Sequence, residues 1–215
     1  MKLSDITLKN FVLSEIQANC YVVNVKDRSD CVVIDPGDAP YKVIRHMKEA
    51  NLTPAAILIT HGHFDHFCGV PEIKENWPNV PIYIGKGDRP KLANPITNLS
   101  IGFGLSFSTS ETVHELQDND TIEVAGLTFK TIEVPGHSSG HVVYILKTEE
   151  RSLAFCGDVI FAGSIGRTDF PDGDGAALIR NIREKILTLP SNTLLCTGHG
   201  PVTSVAEEMR SNPFI

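Results

Sequence analysis

A chain of 215 residues with 41% apolar and 21% charged side chains is long enough to bury a hydrophobic core. None of its apolar runs reaches the ~18–20 residues that cross a bilayer. A formal net charge of −7, with basic residues scattered and never three in a row, sets the surface against phosphodiester backbones and excludes nucleic acid as a first choice of partner.

Five cysteines, at 20, 31, 68, 156 and 196, form no CxxC pair and argue against a disulfide framework. The opening segment, MKLSDITLKNF, carries charges where a signal peptide needs an apolar stretch, so a cytoplasmic location is expected. Cys31 and Cys196 sit within apolar runs and read as small buried hydrophobes. Cys68 and Cys156 lie beside the cluster of titratable residues described below.

In chain order, Val- and Ile-rich runs bounded by Gly, Pro, Asn or Asp predict strands at Cys20–Val25, Cys31–Ile34, Ala55–Ile59, Pro81–Ile84, Leu127–Val134, His141–Leu146, Leu153–Cys156 and Thr193–Cys196. A helix is predicted over Ala39–Ala50, with Asp38 as N-cap and Pro40 in its first turn. Lys91–Ser110 reads as a long Gly/Ser/Asn-rich loop of the kind that carries function. A second helix is predicted over Ala176–Leu189, with apolar residues at 178, 179, 182, 186 and 189 and a stop at Pro190. Helices alternate with strands, but residues 112–157 are strand after strand. The mixture implies an α/β or α+β sandwich with outer helices, in one domain over residues 1–215 without an internal linker.

Four of the runs end alike. AAILIT leads into His61, FKTIEVPG into His137, SLAFCG into Asp158 and TLLCTG into His199. Strand ends of one sense converge on one rim of a sandwich, and glycine lets the backbone turn sharply there. Histidine with carboxylate is the ligand set of zinc and similar ions. Within HGHFDH, an extended turn directs His61 and His63 to one ion and Asp65 and His66 to another. His137 completes the first set and His199 the second, and the two oxygens of Asp158 suit a bridge. Of the other histidines, His46 reads as a surface residue of the first helix and His114 as strand packing or solvent contact. His141 reads as a group behind the ligands or the start of a strand.

THGHFDH, PGHSSGH, FCGDVIF and TGHG, together with VVIDPG around Asp35, resemble the motifs of the metallo-β-lactamase superfamily over residues 19–201. The resemblance implies a four-layer αββα sandwich with a dinuclear metal centre at one edge. His61, His63 and His137 would hold the first ion, Asp65, His66 and His199 the second, and Asp158 both. Zinc is the first expectation, with iron or manganese compatible. FCGDVIFAGSIGRTDFPDGD resembles the small bacterial relatives of glyoxalase II, the hydroxyacylglutathione hydrolases. Aspartate at the bridging position departs from the true β-lactamases, which have cysteine there, so antibiotic hydrolysis is not implied. After TGHG only PVTSVAEEMRSNPFI follows, enough for one short helix and not for the helical domain that serves glutathione in full-length glyoxalase II.

The reaction so implied is hydrolysis of a small-molecule thioester, of the S-lactoylglutathione type, by a hydroxide that bridges two metal ions. Asp65 would be both ligand and catalytic residue, orienting the nucleophile. Asp35 would steady a ligand by a hydrogen bond. Arg167 would pair with Asp169 to fix its loop or else hold an anionic substrate group, while Phe161, Ile165 and Phe170 would supply an apolar wall. A rival reading is a persulfide dioxygenase, which shares GRTDF (166–170) and would hold one iron through His61, His137 and Asp158. A weaker one is a non-hydrolytic diiron redox module, whose relatives place Glu where this chain has His63.

Overall fold

The computed structural model describes residues 1–215. The first sheet consists of β1 (Ile6–Leu13), β2 (Ala18–Val25), β3 (Asp30–Ile34), β4 (Thr53–Ile59), β5 (Ile82–Gly85) and β6 (His114–Leu116), in sequence order across the sheet. Strands β1 to β3 are antiparallel neighbours, and β3 to β6 run parallel. The second sheet contains β7 (Thr121–Val124), β8 (Leu127–Glu133), β9 (Val142–Lys147), β10 (Ser152–Gly157), β13 (Leu194–Thr197) and β14 (Thr203–Ser204), in the order β14-β13-β10-β9-β8-β7. Between β10 and β13 lies a small hairpin of β11 (Ile160–Phe161) and β12 (Ser164–Ile165).

The sheets pack face to face through apolar inner faces, and the central strands are apolar on both sides. In β4, Ala56 and Leu58 join a cluster between the sheets with Tyr144 and Phe155, while Ile57 and Ile59 turn outward. Double-sided burial produces continuous apolar runs instead of alternation. Helices α1 (Tyr41–Glu49) and α2 (Val70–Asn76) cover the first sheet through Val43, Met47 and Ile73. Helices α3 (Gly175–Asn181) and α4 (Val205–Ser211) cover the second through Leu178 and Val205. The architecture is the four-layer αββα sandwich. No helix is long and apolar enough to cross a membrane.

Several predicted boundaries move. The first helix begins at Tyr41, not Ala39, and Asp38 does not cap it: Pro40 holds the N-cap position without a side-chain bond. Ala39 stands at φ +56, so the chain turns between Asp38 and the helix. The second helix is regular only to Asn181 and continues as a π-helical turn over Ile182–Ile186. Its cap is Asp174, whose side chain accepts the Ala177 N–H at 2.9 Å. The Lys91–Ser110 segment begins inside a 3-10 turn at Arg89–Ala93 and contains another at Ser100–Phe103. His46 is half-buried, not free on the surface, with its ring 5.4 Å from that of Phe11. His114 is exposed and stacks on Tyr83.

Candidate metal centre

The ends of β4, β8, β10 and β13 bring their histidines and aspartates to one rim, as the sequence pattern implies. His61 and His63 follow β4 in an extended turn, and Asp65 and His66 lie in the 3-10 turn Phe64–His66. His137 follows β8, Asp158 follows β10 directly, and His199 follows β13. Gly198 is required by this convergence, since a Cβ there would collide with Asp158 Oδ1 and lie 2.9 Å from the His66 ring. Gly157, at φ +46, likewise leaves room only for the Thr60 hydroxyl and the His141 ring.

His63 Nδ1 lies 3.0 Å from His61 Nε2 and 3.0 Å from His137 Nε2. His66 Nε2 is 3.5 Å from Asp65 Oδ2 and 3.4 Å from Asp158 Oδ1. His199 Nε2 is 3.3 Å from Asp65 Oδ2. Asp158 Oδ2 faces both groups, 3.5 Å from His137 Nε2 and 3.6 Å from His199 Nε2. Three sets of donor atoms lie within 4.8 Å of one another: His61, His63 and His137; His61, His66 and Asp158; and Asp65, His66 and His199. All seven expected residues meet in this one cluster.

Hydrogen bonds at the far side of each ring fix which nitrogen faces inward. The Thr60 hydroxyl donates to Asp35 Oδ2 at 2.7 Å, so His61 Nδ1–H must donate to that hydroxyl at 3.1 Å. His66 Nδ1–H donates to Asp35 Oδ2 at 3.1 Å, His137 Nδ1–H to the Arg167 carbonyl at 2.7 Å, and His199 Nδ1–H to the Gln17 carbonyl at 3.2 Å. Four Nε2 lone pairs are thereby left pointing into the cluster. Asp35 sits at φ +51, a left-handed conformation that an L-residue adopts at a cost. Its carboxylate also accepts the Thr60 N–H at 2.7 Å. The expected hydrogen bond from Asp35 to a ligand is present.

The cluster fits metal ions on its own chemistry. His66 Nε2 and Asp158 Oδ1 are buried without hydrogen-bond partners, which is costly unless a cation takes their lone pairs. Burial holds His61 well below the ordinary histidine range and His63 at about 3, so both offer neutral nitrogens. At His66 burial acts the same way, but the Asp65 and Asp158 carboxylates outweigh it and raise the pKa. Burial of Asp65 and Asp158 is in turn outweighed by His66, which keeps both carboxyls below their usual range. The centre is thus a buried, carboxylate-rich nest of imidazoles, a donor set for divalent transition metals.

The remaining expected residues separate by role. His141 is not among the inward-facing ligands: its Nε2 accepts the Asp158 N–H at 3.1 Å and its ring stacks on His61. Arg167 pairs with Asp169 through two bonds of 2.6 Å and lies 4.5 Å over the Phe170 ring. Phe161, Ile165 and Phe170 line a cavity of about 320 Å³ above the centre, which also includes Phe64, Leu99, Phe103 and Ser164. Cys156 lies in the outer core of the second sheet and Cys68 is half-buried behind the ligand turn, so neither belongs to the cluster. Cys31 and Cys196 are buried, as expected.

The sequence reading passed over Asp88, Lys91, Ser138 and Asp172. Asp88 is fully buried and accepts the N–H groups of Gly62 and Gly140, each at 2.7 Å. The Ser138 hydroxyl donates to Asp88, and Lys91 Nζ reaches Asp88 at 3.1 Å and Asp172 at 2.5 Å. A signal was present: IYIGKGD is another apolar strand that ends, past glycine, in an aspartate.

A two-sheet sandwich with a His/Asp rim at its strand ends defines a metal-binding enzyme of the hydrolase type. The chain belongs to the metallo-beta-lactamase superfamily, whose family model matches residues 13–199. It is 38% identical to a probable metallo-hydrolase, YqgX of Bacillus subtilis, over 93% of each chain. It is 34% identical to the hydroxyacylglutathione hydrolase GloC of Haemophilus influenzae, over 94% of this chain and 95% of that one. Among solved structures it superposes on the BLEG-1 B3 metallo-beta-lactamase with TM-score 0.90 and 38% identity, covering 97% of this chain and 99% of that one. On TTHA1623 in a di-iron-bound form the TM-score is 0.83 and the identity 33%, covering 96% and 100%.

Proposed function

We propose that the protein is a dinuclear metal-dependent hydrolase that cleaves a thioester of the hydroxyacylglutathione type. The observation that carries this reading is the inward convergence of seven donor residues, with His66 Nε2 and Asp158 Oδ1 buried and unpartnered among them. In this reading His61, His63 and His137 hold one ion, Asp65, His66 and His199 the other, and Asp158 both. When bound, such ions lower the pKa of water toward neutrality and polarise a carbonyl. The chain's own residues do the rest. Asp35 and Thr60 lock His61 and His66 in the ligating tautomer, and the Asp158 N–H bond to His141 fixes the backbone that carries the shared carboxylate. Asp65 lines the cavity, where in this reading its carboxylate would orient the attacking water and take its proton. The leaving thiolate needs no strong general acid. Phe161, Ile165 and Phe170 exclude bulk water from the reacting carbonyl. Similarity to a hydroxyacylglutathione hydrolase supports the substrate class.

The test is metal stoichiometry on protein prepared with zinc, iron and manganese all available, followed by thiol release from S-lactoylglutathione. The reading expects about two ions per chain and metal-dependent thiol release. One iron per chain with O₂ uptake on a persulfide would replace it with the dioxygenase reading. Opening of a β-lactam without thioester cleavage would overturn it as well.

A further inference from the structure

Arg167 is the one Lys or Arg on the wall of the cavity above the metal centre. Its backbone is tied to the ligands, since its carbonyl accepts the His137 Nδ1–H at 2.7 Å. A Cβ on the preceding Gly166 would collide with the Asp158 carbonyl and lie 3.1 Å from His137 Nδ1, so the chain passes here in direct contact with two of them. The loop beyond is pinned as well. Asp172 accepts from Lys91 Nζ at 2.5 Å and from the Ser139 N–H at 2.9 Å, and the Phe170 carbonyl accepts the Gly173 N–H at 2.9 Å.

The side chain is held on two sides. Its guanidinium carbon stands 4.5 Å from the centroid of the Phe170 ring, and that ring meets the His63 ring edge-on at 5.1 Å. One aromatic ring thus separates the cation from a residue of the metal centre. Asp169 takes Nε and Nη2 at 2.6 Å each, along one edge of the guanidinium. Nη1 makes no hydrogen bond within the protein. A guanidinium has a second edge, formed by Nη1 and the remaining N–H of Nη2, and here that edge is free for another planar anion.

Stability does not account for this arrangement. The Arg167 and Asp169 side chains are 64% and 66% exposed, and ion pairs so open to water add little to a fold. Asp169 and Phe170 instead hold the fork in one orientation, which lowers the cost of ordering it when an anion arrives. A lysine ammonium offers no planar fork to be set in this way.

We propose that Arg167 is a specificity-determining residue whose free guanidinium edge takes a carboxylate in the thiol half of the substrate. The proposal rests on the hydroxyacylglutathione reading and assigns the contact to the glycyl carboxylate. That group lies about six bonds from the sulfur, ~7 Å in an extended chain, a reach that clears one aromatic ring. The γ-glutamyl carboxylate stands about two bonds further out.

The experiment uses the metal-loaded protein and pairs of ligands that differ in one charge. S-methylglutathione, which has no thioester to cleave, and its glycyl ethyl ester report binding by calorimetry. S-lactoylglutathione and its glycyl ethyl ester report thiol release. Bonds from an exposed guanidinium to a carboxylate, screened by solvent, are expected to make the free acid about tenfold tighter than the ester. In Arg167→Gln that ratio should fall close to one, and in Arg167→Lys it should be restored in part. Each ratio is taken within one protein, so a loosened loop that weakens both ligands alike leaves it unmoved. A wild-type ratio close to one, or the same ratio in Arg167→Gln, would overturn the anchor. A ratio lost on substitution, without thiol release from S-lactoylglutathione, refutes the thioesterase reading alone; thiol release with no ratio in either ligand pair refutes the anchor alone.

Discussion

Asp88 binds nothing at the centre, yet it joins the two turns that carry His61, His63 and His137. Its carboxylate takes the N–H of Gly62 from one turn, the N–H of Gly140 from the other, and the Ser138 hydroxyl between them. Lys91 balances its charge within the protein. An amide in its place would present an NH₂ to donors that need an acceptor, and would leave Lys91 with Asp172 as its remaining carboxylate partner. Asp88→Asn is expected to lower stability by ~2–3 kcal/mol, the cost of buried unsatisfied groups. It should also weaken metal affinity by about 10–100-fold, as changes behind ligands do. Urea midpoints and competition with a chromogenic chelator measure the two. Unchanged values for both would mean the turns hold themselves. The same residue shows the reach of the sequence: His61 to His199 were legible because one strand-end pattern repeated with histidine. Asp88 follows the pattern with an ordinary carboxylate and Lys91 lies in the turn just beyond it, and only their burial distinguishes them from surface side chains.

At the scale of elements, strands buried on both faces were legible as unbroken Val/Ile runs, whereas elements with a wet face or few turns were not. Strand β1, ITLKNFVL, is an edge strand that exposes Lys9 and Asn10, so its composition resembles a loop. Helix α2 spans seven residues and buries only Val70 and Ile73, too short a run for a 3.6-residue period to register. The short C-terminal helix was legible, but its partners were not. Helix α4 turns Glu208 into the protein, where the carboxylate accepts the Gly163 N–H at 2.9 Å, the Thr203 hydroxyl at 2.5 Å and the Asn212 side chain at 2.8 Å. Asn212 also donates to the Ser164 carbonyl at 2.9 Å. The tail therefore braces the β11–β12 hairpin, which contributes Phe161, Ser164 and Ile165 to the cavity wall. Removing the carboxylate leaves three donors without it. Glu208→Ala should cost ~2–3 kcal/mol, and a slackened wall should raise KM while bound metal stays constant. A KM equal to wild type at equal metal content would reduce the tail to packing.

Over the whole molecule, the centre is also a cross-link. His61, His63, Asp65 and His66 come from the first sheet; His137, Asp158 and His199 come from the second. Each sheet has its own outer core, and the two share an inner one, with 18, 18 and 12 buried apolar residues in the three clusters. Cores of that size keep the sandwich folded without metal, so chelation is expected to loosen the rim and leave the layers intact. A ligand that binds only the native state at a thousand times its dissociation constant adds ~4 kcal/mol of stability. For a chain of this length 1 kcal/mol moves the thermal midpoint by about 2–4 °C. Stripping the metal should therefore lower the midpoint by roughly 8–16 °C while the far-ultraviolet circular dichroism at room temperature is unchanged. Calorimetry before and after chelation reads the first and the spectrum the second. An unmoved midpoint would mean that the two sheets close the rim without an ion. Asp35, Asp65 and Asp158 argue against that result, because in metal-free protein the positive charge available to offset these carboxylates is a proton on His66 or His199.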